Sequence, residues 1–67
     1  MHRGRVLWYC DNLGYGFLSI EHEGEKTFVD RAALAKSGLT SLEEGEAVSY
    51  EVDRDEQGRH AKNVSVR

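Results

Sequence analysis

Apolar and polar residues alternate in short runs along this chain, and turn residues separate the runs. The runs are enriched in β-branched and aromatic side chains, which fit the pleated surface of a strand. Five strands are therefore predicted, at about residues 4–10, 15–20, 26–30, 47–52 and 60–66. A three-helix alternative is excluded, because no window of useful length places apolar residues at the spacing of a helix.

The connections between the runs define the fold class. Residues 11–14, Asp-Asn-Leu-Gly, predict a turn after the first strand. Residues 31–45 alternate poorly, and residues 32–35 predict one helical turn inside this irregular connection. Five strands with one irregular connection between the third and the fourth predict an all-β fold, a five-stranded antiparallel Greek-key β-barrel. Closure of the barrel removes most of the strand edges.

The period of two in the second and third strands predicts which side chains face outward. Aliphatic residues share one face of each strand, and Tyr15, Phe17 and Phe28 share the other face with polar residues. Trp8 and Tyr9 on the first strand can lie beside these rings. Exposed rings stack on unpaired bases at about 1–3 kcal/mol per base, so the pattern predicts a platform for single-stranded nucleic acid. The alternative, in which two or three of the rings belong to the core, stays open.

Length and composition limit the other classes of function. A chain of 67 residues predicts one domain, residues 1–67, with a thin core and no cavity for a cofactor. Cys10 is the one cysteine, so no disulfide forms within the chain, and the three histidines lack the spacing of metal ligands. No apolar run reaches the roughly 20 residues of a membrane span, and the first residues lack a signal peptide. The sequence therefore predicts a cytoplasmic protein without cofactor, metal or membrane partner.

The charge balance differs from that of an ordinary nucleic-acid binder. Twelve acidic residues against nine basic ones give a formal net charge of −3, whereas proteins that bind nucleic acid usually carry a basic excess. The acidic residues fall in clusters, and the basic residues lie mostly elsewhere in the sequence. This segregation can leave one face of the barrel neutral or mildly positive, or it reflects only a solvated surface.

Several short motifs resemble the cold-shock domain family over essentially the whole chain. Residues 4–9, Gly-Arg-Val-Leu-Trp-Tyr, are similar to its opening strand, and residues 13–18, Leu-Gly-Tyr-Gly-Phe-Leu, to its first ribonucleoprotein motif. Residues 27–30, Thr-Phe-Val-Asp, resemble the second motif, and residues 42–50 and 57–64 resemble two later segments in the family's order. The resemblance implies an oligonucleotide-binding (OB) fold of the cold-shock type. It also implies binding of single-stranded RNA or DNA, often as an RNA chaperone.

The differences from the family pattern fall on the expected binding face. Leu7 and Leu13 stand where the family usually has lysines, and Asp30 stands where its second motif has histidine. Arg31 and Leu39 stand where the family usually has aromatic rings. Fewer phosphate contacts and fewer stacking partners predict weak to moderate binding that depends on salt and covers a shorter footprint.

Five rings and three charged side chains are predicted to bind the single strand. These residues are Trp8, Tyr9, Tyr15, Phe17, Phe28, Asp30, Arg31 and Arg59. Asp30 can accept a hydrogen bond from a cytosine amino group, Arg31 can stack on a base, and Arg59 can contact a phosphate.

Two functions besides nucleic-acid binding stay open at the level of sequence. The first is a protein-interaction module, in which the altered face of the barrel binds a protein, as exposed aromatic residues often do. The second is catalysis by Asp30 with His60, or by Cys10 with a histidine; no motif supports either pair, so the chain is predicted not to be an enzyme. Single-stranded RNA or DNA is the predicted partner. The chain is predicted to be a monomer or a homodimer that swaps strands through residues 35–45.

Overall fold

The computed structural model describes residues 1–21 and 24–67, so His22 and Glu23 lie outside the described residues. The elements in the described residues are β1 (His2–Cys10), β2 (Tyr15–Ser19), β3 (Lys26–Asp30), α1 (Arg31–Lys36), β4 (Ala47–Asp55) and β5 (Gly58–Val66). The five predicted strands are confirmed, and β3 has the predicted bounds. The helical turn predicted at residues 32–35 is confirmed as part of α1.

β4 and β5 are longer than the sequence predicts, because they continue into a tight hairpin. Asp55 pairs with Gly58, and the Asp55 carboxylate accepts a hydrogen bond from the Gln57 amide at 2.8 Å. Gly58 has a φ of 121°, which glycine adopts without the strain that a Cβ would cause. The charged residues near the end of β4 therefore belong to a strand, since backbone pairing makes no demand on their exposed side chains.

The strands close into a barrel in the order β1-β2-β3-β5-β4. Neighbouring strands pair antiparallel, except that β3 and β5 pair parallel through Phe28 and His60. The predicted all-β Greek-key barrel is confirmed, with this parallel contact at its closure. Because the closure joins two strands far apart in sequence, it brings together residues that no local pattern connects.

The core is built from the inward faces of all five strands, together with residues of the β3–β4 connection. Its buried residues are Val6, Leu18, Ile20, Val29, Leu34, Leu42, Val48, Tyr50, Ala61 and Val64. The alternation assigned the aliphatic residues of β2 and β3 to the core, and the burial of Leu18 and Val29 confirms it. Tyr50 is fully buried, and its hydroxyl donates a hydrogen bond to the Ser19 carbonyl at 2.7 Å. The opposite face of β2 and β3 is thereby left for the rings.

Side chains fix the short helix α1 at both ends. Asp30 caps its N-terminus, because the Asp30 Oδ1 atom accepts a hydrogen bond from the Ala33 amide at 2.8 Å. At its other end, the Ser37 hydroxyl accepts a hydrogen bond from the Val64 amide at 3.0 Å and so joins the helix to β5. Within residues 1–21 and 24–67, no helix has the length and apolar character needed to cross a membrane.

Candidate nucleic-acid interface

The outward face of β2 and β3 carries Tyr15, Phe17 and Phe28, all half-buried. Phe17 pairs directly with Phe28 across the two strands, and their ring centroids lie 6.0 Å apart at an interplanar angle of 72°. Tyr15 stacks on Phe28 with centroids 5.7 Å apart and an angle of 27°. The three rings therefore touch one another on the outside of the barrel, as the alternation predicts.

Trp8 extends this surface onto β1. Its ring centroid lies 5.6 Å from that of Tyr15 at an angle of 64°, and 38% of the residue is exposed. In a regular strand Val6 and Trp8 would share the inward face. The register with β2 shifts between these two residues, and such a bulge re-aims the side chains that follow it. We refer to Trp8, Tyr15, Phe17 and Phe28 as the ring cluster.

His60 borders the ring cluster on the β5 side, and sequence reasoning did not find it there. The parallel pairing of Phe28 with His60 places the imidazole edge-on to the Phe28 ring, with centroids 5.5 Å apart at 77°. The His60 Nε2 atom also lies 3.2 Å from the carboxylate of Asp55. No signal in the sequence could have placed His60, because the contact depends on how the barrel closes.

A shallow concavity of about 250 Å³ opens beside Phe28. It is lined by Phe17, Phe28, Gln57, Arg59 and His60. One side is thus aromatic, and the other side carries the polar groups of the β4–β5 hairpin. A planar group that enters this concavity meets ring faces and hydrogen-bond donors together, as an unpaired base on an OB fold does.

Residues 2–67 match the family model described as the 'Cold-shock' DNA-binding domain. The chain belongs to the cold-shock domain family. It is 42% identical over 64 residues to cold shock protein CspB of Geobacillus stearothermophilus, with 96% of each chain covered. It is 41% identical over 64 residues to cold shock protein CspB of Bacillus caldolyticus, again with 96% of each chain covered. The cold shock-like protein CspA of Shewanella violacea is 38% identical over 61 residues, which cover 91% of this chain and 87% of that protein.

Tyr9 occupies a different place in this cold-shock domain from the one that the sequence suggests. It packs against the core and pairs with Gly16, where a side chain on the glycine would collide with the Tyr9 ring. The structure therefore does not bring Tyr9 to the ring cluster. The same register shift that turns Trp8 outward turns Tyr9 inward, since consecutive residues of a strand face opposite sides.

The charged residues predicted to bind single-stranded nucleic acid form hydrogen bonds and ion pairs with other parts of the barrel. Arg31 donates a hydrogen bond to the carbonyl of Asp11, and its backbone amide donates to the carbonyl of Gly14 at 2.8 Å. Arg31 thus holds the turn between β1 and β2. Arg59 forms an ion pair with Glu25, and only 12% of the Arg59 side chain is exposed. Asp30 caps α1, so one of its carboxylate oxygens is already occupied.

A cation outside the predicted set lies over the ring cluster. The Nζ atom of Lys26 is 5.6 Å from the centroid of the Phe17 ring, within the range of a cation–π contact. The alternation placed Lys26 on the outward face of β3, but sequence reasoning did not include it in the site. Its side chain adds positive charge beside the Phe17 ring.

The rim of the ring cluster is apolar where the cold-shock family usually has lysines. Leu7 is 42% exposed and Leu13 is 62% exposed, so neither side chain is needed in the core. Leu39, which stands where the family usually has a ring, packs half-buried against the core. The ring cluster therefore has fewer cations and fewer stacking partners around it than the family pattern provides.

Tyr9→Phe is expected to raise the free energy of unfolding by about 1 kcal/mol. The buried Tyr9 hydroxyl has no hydrogen-bond partner among the described residues, and a buried polar group without a partner destabilises the folded state. Denaturant unfolding of the two proteins measures the difference. Tyr15→Phe serves as the control, since it removes a hydroxyl from the ring cluster. A lower stability of Tyr9→Phe would contradict the prediction.

Proposed function

We propose that this protein binds single-stranded RNA or DNA by stacking unpaired bases on the ring cluster, and that it acts as an RNA chaperone. The observation that supports the proposal is the continuity of the rings, whose neighbouring centroids lie 5.6 to 6.2 Å apart across three strands. Four rings correspond to about four nucleotides, the lower end of the range for an OB fold. Such a protein would act in the cytoplasm, where single-stranded RNA is present.

The electrostatic part of this binding is small and local. The whole chain carries a net charge of −3, so general attraction to a polyanion does not drive association. Lys26 at Phe17 and Arg59 at the concavity are the nearby cations. Each phosphate contact on a single strand adds about 0.7 to the slope of log affinity against log salt concentration. Arg59 is already paired with Glu25, so one such contact, at Lys26, gives a slope of about 0.7 in magnitude, and stacking supplies the rest of the affinity.

Titration of the intrinsic fluorescence with oligothymidine tests the proposal. Trp8 is the one tryptophan of the chain and belongs to the ring cluster, so a stacked base quenches its emission. We expect quenching at low salt and weaker affinity at high salt. Absence of quenching at low salt would contradict nucleic-acid binding. The chaperone role is tested separately by the melting of a short RNA hairpin, which the protein is expected to accelerate.

A second candidate function is a protein-interaction module, and the exposed rim favours it. Leu7, next to Trp8 in β1, and Leu13, in the turn between β1 and β2, are exposed apolar side chains, and apolar residues beside an aromatic anchor are typical of protein interfaces. The two functions differ in their response to added charge. A phosphate-bearing ligand is attracted by a lysine at this rim, whereas an apolar protein partner is not.

Leu7→Lys is expected to raise the affinity for oligothymidine and to steepen its salt dependence by about 0.7 in slope. The substitution restores the cation that the family usually has there, next to Trp8 in β1. Val66→Lys is the matched control, because Val66 is 41% exposed against 42% for Leu7 and the change in net charge is equal. The same slope in both variants would show that position 7 does not meet phosphate.

A further inference from the structure

His60 is placed to contact the ligand as well as the ring cluster. It lines the concavity together with Phe17 and Phe28, and its ring lies edge-on to Phe28 with the two centroids 5.5 Å apart. The imidazole is half-buried, with 31% of its side chain exposed. A base that stacks on Phe28 therefore meets the imidazole at its edge.

The charges around His60 come from three strands. Asp53 and Asp55 face it from β4, because Asp53 is its register partner and Asp55 lies 3.2 Å from Nε2. Arg59 and Lys62 lie close to it along β5, Lys26 is the first residue of β3, and Glu25 directly precedes that strand.

Most of these charges are already compensated. Arg59 forms an ion pair with Glu25, and Lys62 Nζ lies 2.9 Å from the Asp53 carboxylate. The hydrogen bond from Lys62 to Asp53 raises the pKa of Lys62, so Lys62 stays positively charged across the neutral range. Histidine is the side-chain type whose charge changes between about pH 8 and pH 5, and His60 is the histidine that lies against Phe28 and 3.2 Å from the Asp55 carboxylate.

We propose that His60 forms the wall of a nucleobase subsite with Phe28, and that its protonation beside Asp55 strengthens the binding of single strands at mildly acidic pH. This inference rests on the proposed function. With neutral imidazole the pair carries the single negative charge of Asp55, which repels the ligand's phosphates. With imidazolium the pair is neutral, and a cation lines the concavity.

The net charge of the His60–Asp55 pair determines whether affinity rises or falls with pH. Affinity for oligothymidine rises as the pH falls from 8 to 6, because the proton removes one net negative charge from the edge of the site. The size is that of one exposed charge contact, about twofold to fivefold. Thymine keeps its charge state over this range, so the change reports on the protein.

The experiment measures oligothymidine affinity at pH 6 and pH 8 by Trp8 fluorescence at constant low salt. Unsubstituted protein is expected to bind about twofold to fivefold more tightly at pH 6. His60→Phe keeps a ring beside Phe28 but carries no proton, so its affinity is expected to be equal at the two pH values. His2→Gln is the control, and it is expected to keep the dependence on pH.

Asp55→Asn provides a second test, in which the carboxylate partner is changed and His60 is kept. It removes the negative charge, but its side-chain oxygen can still accept the hydrogen bond from the Gln57 amide that holds the hairpin turn. We expect it to bind about twofold more tightly than the unsubstituted protein at pH 8. Thermal unfolding of each variant establishes that the barrel is folded.

Two results would overturn the inference while the proposed function stands. One is equal affinity of the unsubstituted protein at both pH values, and the other is a full dependence on pH in His60→Phe. Absence of binding by the unsubstituted protein at either pH overturns the proposed function, and the inference with it. The outcomes are therefore distinguishable in a single set of titrations.

Discussion

Phe28→Ala is expected to lower the affinity for oligothymidine about tenfold or more, the largest loss for any single ring of the cluster. Phe28 joins the ring cluster to the concavity, since its ring centroid lies 5.7 Å from that of Tyr15, 6.0 Å from that of Phe17 and 5.5 Å from that of His60. Its removal takes away one stacking surface and leaves the neighbouring rings without support. With Phe17→Ala in addition, about 2–6 kcal/mol of stacking is lost if the two effects add, and binding falls below detection.

The same double variant is expected to stay folded, which separates binding from stability. Both rings lie on the outward face, and the buried residues of β2 and β3 are left intact. Thermal unfolding and far-ultraviolet circular dichroism check the fold, and Trp8 fluorescence reports the binding. Val66→Ala is the control, since it removes an exposed apolar side chain from β5. A folded double variant that binds as tightly as the unsubstituted protein would contradict the ring cluster as the binding surface.

Gly16→Ala is expected to lower the free energy of unfolding by about 2–3 kcal/mol, although it adds only one methyl group. A Cβ at this position collides with the carbonyl oxygen of Trp8 and comes within 2.7 Å of the Tyr9 Cα atom. These are backbone atoms of β1, so the two strands must separate to make room. A loss of this size lowers the midpoint of thermal unfolding of a small domain by roughly 10–20 °C.

The matched control for this substitution is Gly24→Ala. A Cβ at Gly24 meets no atom within 4 Å, and Gly24 is not among the glycines with positive φ. We therefore expect its thermal midpoint to equal that of the unsubstituted protein within about 2 °C. If Gly16→Ala also kept its midpoint, β1 and β2 would not approach each other as closely as the structure describes.

The sequence was sufficient for the elements that depend on local patterns. The period of two in β2 and β3 predicted both the buried set, with Leu18 and Val29, and the outward rings Tyr15, Phe17 and Phe28. It succeeded because these strands are short and regular, so each side chain's face follows from its position. The resemblance to the cold-shock family was likewise readable from the motifs, since they occur in order along the whole chain.

For the charged residues, the sequence gives the type of side chain but not the groups that the side chain contacts. That Asp30 and Arg31 contact a base stays a prediction; the structure shows the Asp30 carboxylate capping α1 and the Arg31 guanidinium holding the turn after β1. Both groups can make hydrogen bonds to backbone atoms or to a ligand with equal ease. The choice depends on which backbone groups lie within reach, and that is known only when the barrel is formed.

What the sequence determined by itself is the five-stranded barrel, the aliphatic core residues of β2 and β3 and the three outward rings of the same strands. The tertiary structure decided which further side chains lie beside those rings. A register shift in β1 turned Trp8 outward and Tyr9 inward, and the parallel closure of β3 on β5 placed His60 beside Phe28. The physical reason is the sequence separation of the residues involved. Side-chain alternation is a property of one strand, whereas a bulge and a barrel closure depend on how separate strands pair.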